Sequence, residues 1–208
     1  MKPRVLVIAG DRHHPAEPVV AGLRAAAGDH FEFELLDGDF SEPAVGYAAV
    51  VLAKLNAQAP KGANLWTDNG LDWFLDAVRD CMALLVVHAG NVGYPEPIQE
   101  IVGGKFLHHP EPLDVTFQPT GSHELASGGF TIHDEHYFME SRDGVEVFLE
   151  SHSEHGVQPA GWVRQSGDTR VGVLTPGHFA EVWQHAAFQS LLANALAWVV
   201  TGATSPKQ

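Results

Sequence analysis

Continuous apolar runs along the chain alternate with segments whose apolar residues recur at helical spacing. The first run, from Arg4 to Ala9, ends at Gly10, and its apolar character on both faces predicts a central strand covered by helices. Residues 18–27 have helical periodicity and stop before Gly28, which predicts a helix. Further predicted strands cover 31–36, 47–52, 82–87, 115–118, 130–138, 145–151 and 170–175, and further predicted helices cover 71–78 and 184–200.

This alternation predicts an α/β fold. Parallel strands need helical crossovers, so we expect one doubly wound, mainly parallel sheet with helices on both faces. The stretch from Pro95 to Pro119 is rich in Pro, Gly and His and is predicted as long loops around one or two short elements. The strands predicted over 115–118, 130–138 and 145–151 are the candidates for antiparallel pairing. We expect a single domain over residues 1–202 and a C-terminal tail over 203–208.

Composition excludes several partners and compartments. The chain has 208 residues and a formal net charge of −14, which argues against nucleic acid because phosphate binding needs clustered Lys and Arg. A single cysteine cannot form an internal disulfide, which favours a reducing, cytoplasmic compartment. The apolar runs are far too short to cross a membrane. These features favour a small-molecule substrate, with a homo-oligomer as one option for assembly.

Histidines supply the candidate chemistry. Of the 13 histidines, eight lie between His108 and His178. Three predicted strands end in histidine-bearing loops, with His14 after the first strand, His88 after the fourth and His178 after the last. Because ligands bind beyond the carboxyl ends of strands in open parallel sheets, we expect these three side chains to share one cleft.

The loops between these strands add further candidates, notably His109, Asp134, Glu135 and Tyr137. Imidazole and carboxylate are the usual ligands of zinc and also perform acid–base chemistry near neutral pH. The sequence lacks a His-Glu-x-x-His motif, so it leaves a divalent metal, zinc first, and metal-free catalysis both open. Asp134 either orients a histidine or caps a turn.

Several enzyme classes lack their diagnostic residues here. The loop after the first strand contains neither the Gly-x-Gly-x-x-Gly of dinucleotide folds nor the Ser/Thr/Gly-rich phosphate loop of flavodoxins. The Gly-x-Ser-x-Gly elbow of α/β-hydrolases is also absent. Cys81 precedes the fourth predicted strand, which is the wrong end for an elbow nucleophile and favours a core position.

An ordered set of short motifs covers more than half of the chain. The motifs are Leu85-Val86-Val87-His88-Ala89-Gly90, Val102-Gly103-Gly104-Lys105-Phe106-x-x-His109-Pro110, Asp134-Glu135-x-Tyr137, Pro159-Ala160-Gly161-Trp162-Val163-Arg164, Arg170-Val171 leading to Gly177-His178, and Asn194-Ala195-x-x-Trp198. Together they resemble the ThuA-like (trehalose utilisation) family, which is related to class I glutamine amidotransferases.

The resemblance implies a flavodoxin-like three-layer sandwich with a mainly parallel central sheet, as in class I glutamine amidotransferases. The usual cysteine at the elbow after the fourth strand is replaced by His88, so hydrolysis of glutamine through a thiolate is not expected. The family is associated with sugar catabolism, particularly of trehalose-type disaccharides and their keto derivatives. The resemblance therefore implies a carbohydrate substrate.

On this basis we expect an enzyme that processes a sugar by proton transfer or hydrolysis, as a hydrolase, lyase or isomerase. The expected catalytic residues, which are also the candidate metal ligands, are His88, His109, Glu135 and His178. The expected substrate-binding residues are His14, Tyr137, Trp162 and Arg170. Core packing is the alternative for the two aromatic residues, and a structural salt bridge is the alternative for Arg170.

Two other functions remain open at this stage. The chain can be a non-catalytic binding or interaction protein that keeps the scaffold without the chemistry. It can also be a cysteine amidotransferase or peptidase, in which case thiol reagents would inhibit it and the function would depend on Cys81.

Overall fold

The structure is a computed structural model that describes residues 1–36, 45–56, 70–79, 83–121, 123–125 and 128–201. Its strands are β1 (Arg4–Ala9), β2 (Glu32–Leu36), β3 (Ala49–Ala53), β4 (Ala83–Val87), β5 (Gly104–His108), β6 (Leu113–Pro119), β7 (Phe130–Asp134), β8 (Phe138–Ser141), β9 (Glu146–Ser153), β10 (Gly156–Ser166) and β11 (Thr169–Leu174). Its helices are α1 (Ala16–Ala27), α2 (Gly70–Arg79), α3 (Glu96–Val102), α4 (Ala180–Gln184) and α5 (Ala186–Thr201).

Nine of these strands form one sheet in the order β2-β1-β3-β4-β11-β10-β9-β6-β7. The strands from β2 to β11 pair in parallel, and those from β11 to β7 pair antiparallel. Strands β5 and β8 form a separate antiparallel pair. The predicted α/β class is confirmed, and the antiparallel half comes from the region in which antiparallel pairing was expected.

Helices cover both faces of the parallel half. Along β1, the side chains of Val5 and Val7 pack in one core cluster with residues of α1, α4 and α5. Leu6 and Ile8 point to the opposite face and pack with residues of α2 and α3. This alternation follows from the two-residue period of a strand, and it explains why β1 is apolar throughout.

The structure differs from the sequence prediction in the middle of the chain. The predicted strand over 130–138 is divided into β7 and β8, and the break places Glu135 and Tyr137 between two strands. The stretch predicted as long loops around one or two short elements contains α3, β5 and β6, and neither α4 nor β10 was predicted. In β10 the pairing register with β9 shifts between Pro159 and Gly161, so these residues mark an irregularity within a strand and not a loop.

Some expectations fall on parts of the chain outside the described ranges. They are the position of Cys81, the start of the fourth strand at Met82 and the tail over 203–208. Among the described helices, none combines the length and the apolar character that a membrane span requires.

Candidate active site

The loop after β1 positions His14 through a single carboxylate. Asp11 accepts hydrogen bonds from the backbone N–H groups of His13, His14 and Leu55, and from Nδ1 of His14 at 2.9 Å. Burial alone would raise the pKa of Asp11, but the His14 imidazole and the backbone donors outweigh it and lower this pKa to about 2. Because an ionised carboxylate only accepts, the proton of neutral His14 lies on Nδ1, and Nε2 carries a lone pair that faces Nδ1 of His178 at 3.2 Å.

The turn after β4 holds His88 in the left-handed region of backbone conformation, with φ of 45°. Among the described residues other than glycine, His88 alone has a positive φ, and such strain is typical of functional sites. Its Nδ1 donates to the carbonyl oxygen of Thr175 at 2.7 Å, which directs Nε2 towards the Tyr137 hydroxyl at 3.0 Å. The backbone of β11 therefore fixes the orientation of a ring that follows β4.

Asp134, at the end of β7, holds the loop that follows β11. Its fully buried carboxylate accepts the backbone N–H groups of Gly177 at 2.8 Å and His178 at 3.0 Å. Burial raises the pKa of Asp134 although His88 and the two N–H groups oppose the shift. Asp134 thus places His178 through its backbone, whereas the sequence suggested contact with an imidazole ring or a turn cap.

Glu135 is the centre of the site. Its carboxylate oxygens lie 3.3 Å from Nε2 of His88, 3.3 Å from Nδ1 of His178 and 3.4 Å from Nε2 of His109. Burial opposes ionisation, but hydrogen bonds to His178 and His88 outweigh it and hold the pKa of Glu135 well below its ordinary range. The same contact with Glu135 raises the pKa of His178 against the effect of burial.

Tyr137 forms one wall beside this carboxylate. Its ring stacks on His88 with 4.4 Å between ring centroids, and only 2% of the residue is exposed. Burial, reinforced by Glu135 and other carboxylates, raises the pKa of Tyr137 well above its ordinary value. The hydroxyl therefore stays protonated and serves as a hydrogen-bond donor.

The structure brings together six of the sequence-predicted residues, namely His14, His88, His109, Glu135, Tyr137 and His178. Within this group, ligand atoms of His14, His88, Glu135 and His178 all lie within 4.8 Å of one another. His109 touches only the edge of this cluster, and 35% of its side chain is exposed. The convergence of the three strand-end histidines is as expected; the catalytic and binding roles of the six residues stay predictions.

Two predicted substrate-binding residues lie elsewhere. Trp162 is fully buried on β10, where its Nε1 donates to the carbonyl of Val102 at 2.9 Å, so it belongs to the core and offers no wall to a sugar. Arg170 lies near the amino end of β11, at the opposite edge of the sheet from His178. Its guanidinium stacks over Trp198 at 4.4 Å from the ring centroid, so its role is structural. Both expectations were wrong.

Asp11 is the site residue that sequence reasoning missed. The sequence contained a signal for this role, because Asp11 lies two residues after the end of β1 and shortly before His13 and His14. A carboxylate at a strand end beside histidines is a plausible orienting group for an imidazole.

Replacing Arg170 with alanine should lower stability without affecting the cleft. The variant loses the cation–π contact with Trp198 and a hydrogen bond to its carbonyl, so we expect a loss of about 1 kcal/mol in the free energy of unfolding. Urea denaturation measures this loss. Ligand binding in the cleft should equal that of the wild type, and a selective loss of binding would restore Arg170 to the site.

The strand order, the helices on both faces and the cleft at the carboxyl ends of β1, β4 and β11 define the class of protein. It is a flavodoxin-like α/β fold of the class I glutamine amidotransferase-like type, with histidine at the elbow after β4. The sequence profile of the ThuA family, described as trehalose utilisation, matches residues 4–199. The chain belongs to this family.

Solved structures of ThuA-like proteins share this fold. A ThuA-like protein from Parabacteroides merdae superposes with a TM-score of 0.78 at 15% identity, covering 100% of this chain and 93% of that one. A ThuA-like protein from Bacteroides uniformis gives a TM-score of 0.75 at 18% identity, covering 95% of this chain and 92% of that one.

The fold also occurs as part of larger enzymes. A β-galactosidase from Rahnella sp. R3 matches with a TM-score of 0.69 at 13% identity, covering 95% of this chain but only 31% of that one. No curated protein sequence matches this chain significantly.

Proposed function

We propose that the protein is an enzyme of carbohydrate catabolism that acts on a trehalose-type disaccharide or a keto-sugar. The reaction is hydrolysis or proton transfer by imidazole and carboxylate groups, without a cysteine nucleophile. The observation that carries this proposal is the Glu135 carboxylate in contact with His88, His109 and His178. These residues come from the ends of four strands, so the fold itself concentrates the titratable groups in one cleft.

The residues have distinct chemical capacities. The Nδ1 atom of His88 donates to the carbonyl of Thr175, which leaves a lone pair on Nε2 of the neutral ring, next to the Tyr137 hydroxyl, so His88 can act as a base when that hydroxyl turns to a substrate oxygen. Tyr137 supplies a hydroxyl donor that can bind a sugar oxygen. His109 lies at the exposed side of the cluster, where an imidazole can exchange protons between substrate and solvent.

The proposal of a carbohydrate substrate rests chiefly on the family, and two structural neighbours also act on carbohydrates. The family is described as trehalose utilisation. The neighbours include the Rahnella β-galactosidase and Agd3, a carbohydrate deacetylase that matches with a TM-score of 0.63 at 15% identity. At these identities the neighbours indicate the fold alone, so the substrate class is supported chiefly by the family.

The test is turnover of a panel of disaccharides and 3-keto sugars by the wild type and by Glu135→Gln, with and without added metal. Glutamine keeps the size of Glu135 but removes its charge, so we expect kcat/KM to fall by about 10²–10⁴-fold. Glu146→Gln, an exposed position on β9, is the matched control and should keep wild-type activity. Unchanged turnover in Glu135→Gln would overturn the proposed site.

A non-catalytic binding protein is the second candidate. It is favoured by the number of cleft histidines tied to fixed partners, since His14 is held by Asp11 and His88 by Thr175. On that hypothesis no sugar is consumed, yet a sugar that binds raises the melting temperature of the wild type. Turnover of any sugar in the panel, lost in Glu135→Gln, would exclude it.

A further inference from the structure

We infer that His14, His88, Glu135 and His178 form a binding site for one divalent transition-metal ion, with zinc the best-suited ion. Only the catalytic use of the ion rests on the proposed function, because the binding of the ion is argued from the ligand atoms. It assigns His14 to the ligands, where the sequence suggested substrate binding, and it leaves His109 outside.

The first argument is that several acceptor atoms converge on one point of the cleft. Asp11 fixes the proton of His14 on Nδ1, and the Thr175 carbonyl does the same for His88, so both Nε2 atoms present lone pairs. They converge with a carboxylate oxygen of Glu135. His109 adds another lone pair beside Glu135, since its Nδ1 faces the Pro110 carbonyl at 2.8 Å. The Tyr137 hydroxyl and Nδ1 of His178 are the groups that face the two Nε2 atoms, and a cation bound among the four side chains would replace both contacts.

The second argument is distance. A tetrahedral zinc site with metal–ligand bonds of about 2.0–2.1 Å has ligand–ligand separations of about 3.3 Å. In the cluster, Nε2 of His14 lies 3.2 Å from Nδ1 of His178, and oxygens of Glu135 lie 3.3 Å from Nδ1 of His178 and from Nε2 of His88. These three separations match the edges of a coordination tetrahedron, and one ligand atom from each of the four residues lies within 4.8 Å of the others.

The third argument is the support behind the ligands. Metal-bound imidazoles usually donate their other N–H to a carboxylate or a backbone carbonyl, which fixes the ring and its tautomer. His14 and His88 have these two kinds of partner, Asp11 and the Thr175 carbonyl. Three imidazoles and one carboxylate are also the donor types that zinc prefers, and one carboxylate offsets part of its charge.

Within the cleft, a bound ion would polarise a substrate oxygen or a water molecule. His109, which touches Glu135 from the exposed side, is then the residue placed to move a proton at the cleft entrance. The Tyr137 hydroxyl, which lies 3.0 Å from Nε2 of His88, would become available to the substrate when His88 binds the ion.

The experiment measures binding independently of turnover. The full chain, prepared without a histidine tag and stripped with a chelator, is titrated with Zn²⁺ alone and with Co²⁺ alone. We expect about one equivalent of metal per chain, a higher melting temperature, and the visible absorption bands of cobalt bound to nitrogen ligands. Less than about 0.1 equivalent of tightly held metal would overturn the inference, since a formed site of this kind should be populated.

Variants locate the ion. We expect His14→Gln and Glu135→Gln each to weaken metal binding by about 100-fold or more, and Asp11→Asn, which perturbs the support of His14, by about 10–100-fold. His109→Gln and the exposed His133→Gln should retain about one equivalent, and circular dichroism checks that each variant is folded. Retention of tight binding by both His14→Gln and Glu135→Gln would place the ion elsewhere and overturn the inference.

The metal site and the proposed function fail separately. Stoichiometric metal without turnover of any sugar would leave the site intact and remove the proposed reaction. Turnover by metal-free protein, unaffected by chelators, would leave the proposed reaction intact as acid–base catalysis by the same residues. It would remove the ion from that reaction.

Discussion

Gly90→Ala is expected to prevent stable folding of the chain. Gly90 lies in the turn that follows β4, and a Cβ atom placed there would lie 2.0 Å from the carbonyl oxygen of Leu52 on β3. A backbone oxygen paired within the sheet cannot move aside as a flexible side chain can. The turn would have to shift together with His88, and we expect a cost of more than about 4 kcal/mol.

Circular dichroism and urea denaturation measure this effect. The control is Gly167→Ala in the β10–β11 turn, where φ is +61° and an added Cβ meets no atom within 4 Å. That variant carries only the backbone strain of a left-handed residue, about 1–2 kcal/mol. If Gly90→Ala were as stable as Gly167→Ala, the close approach of the β4 turn to β3 would be incorrect.

Asp134→Ala should cause the second large loss. The substitution leaves the N–H groups of Gly177 and His178 without their acceptor in a buried place, at about 1–3 kcal/mol each. We therefore expect the free energy of unfolding to fall by about 2–6 kcal/mol. The loop that carries His178 also loses its attachment to β7, so ligand binding in the cleft should weaken in parallel.

Asp134→Asn is the informative companion variant. Its amide oxygen can still accept one of the two N–H groups, whereas its NH₂ group faces the other donor. We expect a stability between those of the wild type and Asp134→Ala, measured by urea denaturation with an unchanged slope. A loss below about 0.5 kcal/mol in Asp134→Ala would show that the buried carboxylate does not hold the β11 loop.

The parallel half of the fold could be predicted because its signals are local and strong. The predicted first strand, Arg4–Ala9, matches β1 residue for residue, since every position after Arg4 is buried in the core. Strand β10 was missed because Pro159 and Gly161 are typical loop residues. Their place in a strand depends on a register shift against β9, which no local pattern encodes.

The candidate site could be predicted in part for the same reason. The convergence of His14, His88 and His178 follows from the meeting of strand ends in a parallel sheet. The paths of the loops, in contrast, decide which imidazoles reach the same point in the cleft. His109 is an example, because its Nδ1 faces the carbonyl of its own neighbour Pro110.

The two wrong assignments differ in whether the sequence could have corrected them. Arg170 is the first residue of the strand predicted over 170–175, so its distance from the carboxyl edge was already implied. The burial of Trp162 required knowledge of β10, because its ring fills the space above Gly104, where a Cβ atom would meet it at 2.6 Å.

The wide spacing of the cleft residues along the chain has a consequence for synthesis. His14 belongs to the loop after β1, and His178 follows β11, which completes the parallel half of the sheet beside β4. A chain leaving the ribosome therefore has its first cleft residue early but cannot close the cleft until β11 has emerged and paired. Any ligand that contacts both His14 and His178 can bind only after β11 has paired, so binding stabilises only chains that include this strand.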